Sequence, residues 1–334
     1  MKSLPIWNDI SLAAVAGGLN LGQLSRLKSS YLAILAEQAK GAFCLQEANR
    51  MLAKQSAAPE SEYLQFFQGA ELDRAYLLIT LACHGEARRN FIARGYPVEC
   101  FDEAWTDLQS WSSYNLRNFQ VLGLKRRFYG WYGLHVSGEL IELGRLQFQL
   151  GTQYTMSERI VKLADGALEA VPADSPLPSG AVLLLEKDDP VVAIHIPEGR
   201  PGWLQMSPQE CRNSLKRLLA FVREYFQAEP APKAIFCHSW LLDTALTRLL
   251  PPESNIVQFQ QLGNGVIIPG RQGHGEAVWR LFGDAGLPAA GSDLSRYSRL
   301  QRNVVDYVRH GGQFADAGMV IPWERLLAFC SQEA

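Results

Sequence analysis

Cysteine is scarce: six in 334 residues (44, 83, 100, 211, 237 and 330), spread too thinly to frame a disulfide-stapled domain. Charge of one sign is lacking too. Lys and Arg number 32 against 34 Asp and Glu, a formal net charge of -2, so no basic stripe exists to neutralise phosphates. No nucleic-acid partner is expected. No run approaches the roughly 20 apolar residues that span a bilayer, and no membrane insertion is expected. Residues 1–22 carry no secretory pattern, because Asn8 and Asp9 interrupt any apolar run and Gly17–Gly18 break the next one. The expected setting is therefore a reduced cytoplasm. Walker A, H-E-x-x-H, paired C-x-x-C and G-x-S-x-G motifs are missing, which removes the usual support for ATPase, zinc and α/β-hydrolase chemistry. Cys83–His84 and Cys237–His238 are adjacent pairs without ligand spacing, so no metal is expected.

What is present is a globular mixture, 47% hydrophobic and 20% charged, with eight Trp to build large apolar walls. The length suits two domains, each with its own core. The first third reads as helices. Leu24, Leu27, Tyr31, Leu35, Phe43 and Leu45 keep a helical spacing up to the break at Ser56–Pro59. A second helical run extends from Ser61 to about Arg94, where Gly95–Tyr96–Pro97 stops it. A third begins at Pro97, puts Phe101, Trp105, Leu108 and Trp111 on one face, and ends at Gly123. Residues 1–123 are expected to form a helical domain.

After Lys125–Arg126–Arg127 the pattern changes. Leu146–Gln147–Phe148–Gln149–Leu150 alternates as a strand with one wet face does. Ala164–Asp165–Gly166 marks a hairpin, and Lys187–Asp188–Asp189–Pro190 predicts a second one between Val182–Glu186 and Val191–Ile196. Ser207–Pro208–Gln209–Glu210 is a capping box that opens a helix with Leu215, Leu218, Leu219, Val222 and Phe226 on one face. Lys233–His238 reads as a strand, Trp240–Leu250 as a helix, Ser254–Leu262 as a further strand and Gly263–Gly275 as a Gly-rich connection. The class is α+β: an all-helical domain, then residues 124–334 as a mostly antiparallel sheet that takes up helices.

Gly144–Arg145–Leu146–Gln147–Phe148, His195–Ile196–Pro197, Cys237–His238–Ser239–Trp240–Leu241–Leu242 and Ser254–Asn255–Ile256–Val257–Gln258–Phe259 occur in this order. Together with Leu300–Gln301–Arg302 and Gly311–Gly312 they resemble bacterial acyltransferase-domain proteins that join a helical N-terminal domain to a GNAT-like C-terminal domain. The resemblance covers residues 120–312 and only the general character of the helical third. It implies a GNAT-type fold and acyl transfer from an acyl-CoA co-substrate to an amine-bearing acceptor. Two departures stand out. The tail after Gly312 (Gln313–Phe314–Ala315–Asp316) differs from the family ending, and no R-x-x-G-x-G phosphate loop follows the fourth strand. Glu198–Gly199–Arg200–Pro201–Gly202 takes its place.

Four candidates carry chemistry. His195, at the end of the strand Val191–Ile196, is a general base for an attacking amine, or else a structural imidazole that fixes the turn before Pro197. Glu198 is an alternative base or a solvated loop carboxylate. Cys237, where a strand passes into a helix, is a nucleophile or an acid for the departing thiolate, or else a small core residue. His238 points to the opposite face from Cys237 while the chain stays extended, so only one of the two reaches a site shared with His195. For CoA, Gly199 and Gly202 permit close approach, and Arg200, Ser207 and Arg212 surround a helix N-terminus suited to a pyrophosphate, or else form an ordinary loop and cap. Gly270–Arg271–Gln272–Gly273–His274–Gly275 nearly matches a phosphate loop but reads as a hairpin loop, since too little chain remains for the strands a GNAT fold needs afterward. Direct acyl transfer is the leading function. A ping-pong thiol acyltransferase or hydrolase built on Cys237, and a non-catalytic GNAT-like binding module, are the alternatives.

Overall fold

The computed structural model describes residues 1–197, 205–228, 230–270 and 275–331. Eight helices come first: α1 (Trp7–Ala16), α2 (Leu21–Ala36), α3 (Gln38–Leu52), α4 (Glu60–Tyr63), α5 (Ala70–Ala93), α6 (Val98–Trp105), α7 (Asp107–Phe119) and α8 (Arg126–Val136). Six strands follow: β1 (Leu140–Leu143), β2 (Leu146–Gln153), β3 (Arg159–Lys162), β4 (Leu168–Val171), β5 (Val182–Leu185) and β6 (Pro190–His195). Then come α9 (Pro208–Tyr225), β7 (Ala234–Ser239), α10 (Leu246–Leu249), α11 (Asn255–Gln260), β8 (Val266–Ile268), α12 (Gly275–Phe282), α13 (Arg299–Arg309), β9 (Ala317–Pro322) and α14 (Trp323–Ser331). The expected α+β class is the observed one.

The chain divides into two compact units, residues 1–142 with 147–149, and residues 143–146 with 150–334. In the first, α5 is the core. It buries Ala75, Tyr76, Leu77, Leu78, Ile79, Leu81, Ala82 and Cys83 in near succession, as a helix enclosed on all sides must. Each large apolar side chain so enclosed contributes about 1.5–3 kcal/mol. The helical runs expected from sequence break once each, at Glu37 (ψ 102°), at Gly69 (φ 51°) and at Thr106. Gly69 explains the longest break, since its left-handed backbone suits few other residues. Two buried carboxylates are paired. Asp73 receives Lys125 Nζ at 2.8 Å and Asn115 Nδ2 at 3.1 Å, and Glu47 accepts the Ala58 N–H at 3.0 Å and the Tyr63 hydroxyl.

The strands form a six-stranded sheet in the order β1-β2-β6-β7-β9-β8 and a three-stranded sheet in the order β4-β3-β5. Several expectations are corrected here. Gln147 is not on a wet face: it is buried, and its Nε2 donates to Glu142 at 3.0 Å. The turn at 186–189 exists, with the Glu186 N–H donating to Asp189 Oδ2 at 2.9 Å, but β5 and β6 do not pair. β5 joins β3 because the turn is tied elsewhere: the Asp188 N–H donates to the Tyr154 carbonyl at 3.0 Å, and the Tyr154 N–H to the Asp189 carbonyl at 2.9 Å. The helix expected over 240–250 is a short 3-10 turn at Trp240–Leu242, a break at Asp243 (ψ 124°), and α10.

The strand expected over 254–262 is instead helix α11, started by Ser254, whose hydroxyl accepts the Ile256 N–H at 3.3 Å. The Gly-rich stretch contains β8, which pairs antiparallel with β9 (Ile268↔Gly318). Among the described residues a single strand, β9, follows residue 275, while residues 271–274 of that motif lie outside the described residues. The hairpin at Ala164–Asp165–Gly166 forms as expected, with Gly166 at φ 85°.

Candidate active site

The site is built by the parallel pair β6 and β7, joined through α9. A parallel pair needs such a crossover, because no tight turn can return the chain to the same end of the sheet. The expected N-cap starts α9: the Ser207 hydroxyl accepts the Glu210 N–H at 3.3 Å, and Pro208 takes the first turn, where its missing N–H costs nothing. α9 buries Cys211, Ser214, Leu215, Leu218 and Phe221, a stripe rotated slightly from the expected one, with Leu219 and Val222 half-buried.

The β6–β7 register runs from Val191↔Ala234 to Ile194↔Cys237. Partners in a parallel pair project to the same face and strands lie about 4.8 Å apart, so the next pair places His195 beside His238 on one face. That face is identified independently. β9 pairs with β7 on its other side, Phe236↔Val320 and His238↔Gly318, and the Phe236 and His238 ring centroids are 6.4 Å apart. A side chain at Gly318 would begin 3.1 Å from Phe236 Cε2 and 3.5 Å from Met156 Cε, so glycine is what lets these two close over β9.

His195 is half-buried, and that burial lowers its imidazole from 6.5 to about 4. It is therefore neutral at physiological pH, with a ring nitrogen able to accept a proton. His238 is exposed. Cys237 sits on the other face at 1% exposure, and burial pushes its thiol up to about 12, with the neighbouring Cys211 adding to the effect. It is a protonated core thiol and does not join the two imidazoles. Arg212, on the first turns of α9, lays its guanidinium 4.3 Å from the Phe329 ring of α14. Glu198, Gly199, Arg200 and Gly202 lie outside the described residues.

Sequence reading missed three residues around this face. Asp243, buried, accepts the Ala245 N–H at 2.7 Å and also the Ala315 N–H, which ties the segment after β7 to the segment before β9. Gln260 braces the same turn through Nε2, 2.8 Å from the Leu241 carbonyl and 3.0 Å from that of Asp243. Asp316, half-buried, precedes β9; burial raises its carboxyl above the usual range, while the charge of His238 acts the other way. The break that Asp243 makes in an apolar helical pattern was a readable clue to its role, whereas Asp316 had none. Among the described residues no group of three or more His, Cys, Asp or Glu gathers as a metal site would require, and no helix is long and apolar enough to cross a membrane.

Comparison with known proteins adds the family. The profile of the GNAT-like C-terminal domain matches residues 140–320. Among solved structures, an acyltransferase in complex with decanoyl-CoA and teicoplanin superposes with a TM-score of 0.60 at 19% identity, covering 94% of this chain and 99% of that one. An acyltransferase in complex with decanoyl-CoA (TM-score 0.59, 19% identity) and an acyltransferase mutant in complex with octanoyl-CoA (0.59, 18%) match over the same shares. At such identities these structures share the fold. No curated protein matches the chain.

Proposed function

The chain belongs to the GNAT-like C-terminal domain family, and on that premise we propose that it is an acyltransferase, moving an acyl group from acyl-CoA directly to an amine. The observation that carries the reading is the neutral, half-buried His195 at the end of β6, beside the exposed His238 at the end of β7. The solved structures that share the fold hold octanoyl-CoA or decanoyl-CoA, which supports a medium-length acyl donor.

The chemistry is short. The amine nitrogen attacks the thioester carbonyl carbon, a C–N bond forms, and the nitrogen's proton passes to His195. The C–S bond then breaks and CoA leaves as its thiol. An imidazole that titrates near 4 binds a proton weakly, so it accepts one from the strongly acidic nitrogen of the tetrahedral intermediate and returns it readily. Glu198 is the alternative base. For CoA, the α9 N-terminus with Ser207 and Arg212, and the loop residues Gly199, Arg200 and Gly202, are the proposed pyrophosphate site. A helix start with positive side chains has the donor chemistry that a pyrophosphate requires. The ping-pong alternative loses support from the burial of Cys237, because a thiol near 12 supplies almost no thiolate at neutral pH. The cytoplasm, where acyl-CoA is made and the six buried cysteines stay reduced, is the compartment that this reading implies.

The test is a panel of acyl-CoA donors against amine mixtures, with mass spectrometry of the products. An acylated amine is the expected result. Stabilisation by CoA with no product from any donor would favour the binding module instead.

A further inference from the structure

Direct transfer leaves a thiolate that needs a proton as the C–S bond breaks. The same face of the sheet offers a second imidazole with a carboxylate set behind it. Asp316 lies two residues before Gly318, which is the register partner of His238, so strand alternation brings Asp316 to the face of His238. Its backbone is held from two sides. The buried Asp243 carboxylate accepts the N–H of the preceding residue, Ala315. On the other side Gly270 packs so closely that a Cβ there would lie 1.3 Å from the Asp316 carbonyl oxygen, which only glycine allows.

We propose that His238, oriented by Asp316, gives the departing thiolate its proton, with Asp316 acting as a positioning residue; the inference rests on the acyl-transfer reading. The amine nitrogen bonds to the carbonyl carbon and passes its proton to His195. The C–S bond breaks with its electron pair on sulfur, and sulfur takes a proton from the His238 imidazolium. Exposed to water, His238 regains a proton from solvent while His195 releases its own, so the products are an amide and the CoA thiol. The charged groups that act on Asp316 are His238 and Arg280, which favour its carboxylate, and Glu276 and Asp243, which oppose it, together with burial. Glu276 is itself engaged by Arg280 at 2.7 Å.

The experiment has an arm without turnover and an arm with it. In the ligand-free protein, NMR of the histidine rings reads the His238 ring signals, which report the nitrogen that a partner engages, and Asp316→Asn moves them while the His84 signals stay in place. Unmoved His238 signals in a folded Asp316→Asn protein overturn the pair whatever the enzyme does. With decanoyl-CoA and teicoplanin as probes, His238→Gln lowers kcat by about 10²-fold, the low end for a general acid. Asp316→Asn loses part of that. Both losses shrink when the donor is a decanoyl thioester of an aromatic thiol, which leaves without help. Equal losses with both donors overturn the acid role. No turnover by the unaltered protein overturns that role together with the reading beneath it, while the His238 NMR signals still judge the pair on their own.

Discussion

Acidification tests the burial of His195 in quantity. Its imidazole titrates near 4 when folded and near 6.5 when the chain is open. Between those values the unfolded chain binds the extra proton, so stability is complete above about pH 6.5 and is lost as the pH falls toward 4. A drop from about pH 7 to about pH 4.5 should remove about 2 kcal/mol through this one group, with allowance for its partial exposure. His84, lowered to about 4 by burial against Trp105, adds a second term of the same sign in the helical unit. The assay is urea denaturation at a series of pH values for the natural chain and for His195→Gln, which keeps a polar side chain but cannot titrate. The difference between the two curves isolates His195 and should narrow by about 2 kcal/mol on acidification. Parallel curves from pH 7 to 4.5 would refute the reasoning, since they would mean that the imidazole is as well solvated folded as unfolded. The same shift predicts that the acid limb of kcat/KM lies nearer pH 4 than 6.5.

Other outcomes follow from the same geometry. CoA raises the melting temperature by mass action on the folded state, and no shift at millimolar CoA in a well-folded sample counts against the site. Arg212→Ala weakens CoA more than pantetheine in calorimetric titration, because only CoA carries the pyrophosphate; equal weakening places the phosphates elsewhere. His195→Ala reduces kcat by about 10²–10⁴-fold while CoA affinity holds, whereas Cys237→Ala keeps most of the activity because the residue replaced is a packed thiol.

Long-range pairing separates what the sequence revealed from what it hid. The helices around α5 were legible because apolar spacing repeats over many turns, and β6, α9 and β7 because alternation and a Ser-Pro cap mark them locally. Alternation also foretold that Cys237 and His238 face opposite ways, and the structure buries the first and exposes the second. Ile256, Val257 and Phe259 form an apolar run that suits a strand as well as a helix, and the Ser254 cap that decides for α11 is a weaker mark than the run. The partner of β5 was hidden, because the backbone of Tyr154 captures the turn at 186–189 from far along the chain. Asp316 was hidden for the same reason: only the β7–β9 register brings it to His238, and nothing in Phe314–Ala315–Asp316–Ala317 announces it.

Acyl transfer itself is tested most directly by intact-mass measurement of the protein and its products after mixing with decanoyl-CoA, with and without an amine acceptor. The account predicts unmodified protein in both samples, with free CoA and an acylated amine formed only when the acceptor is present. A stoichiometric acyl adduct on Cys237 that passes to the acceptor, or no acylated product from any donor tried, would contradict it.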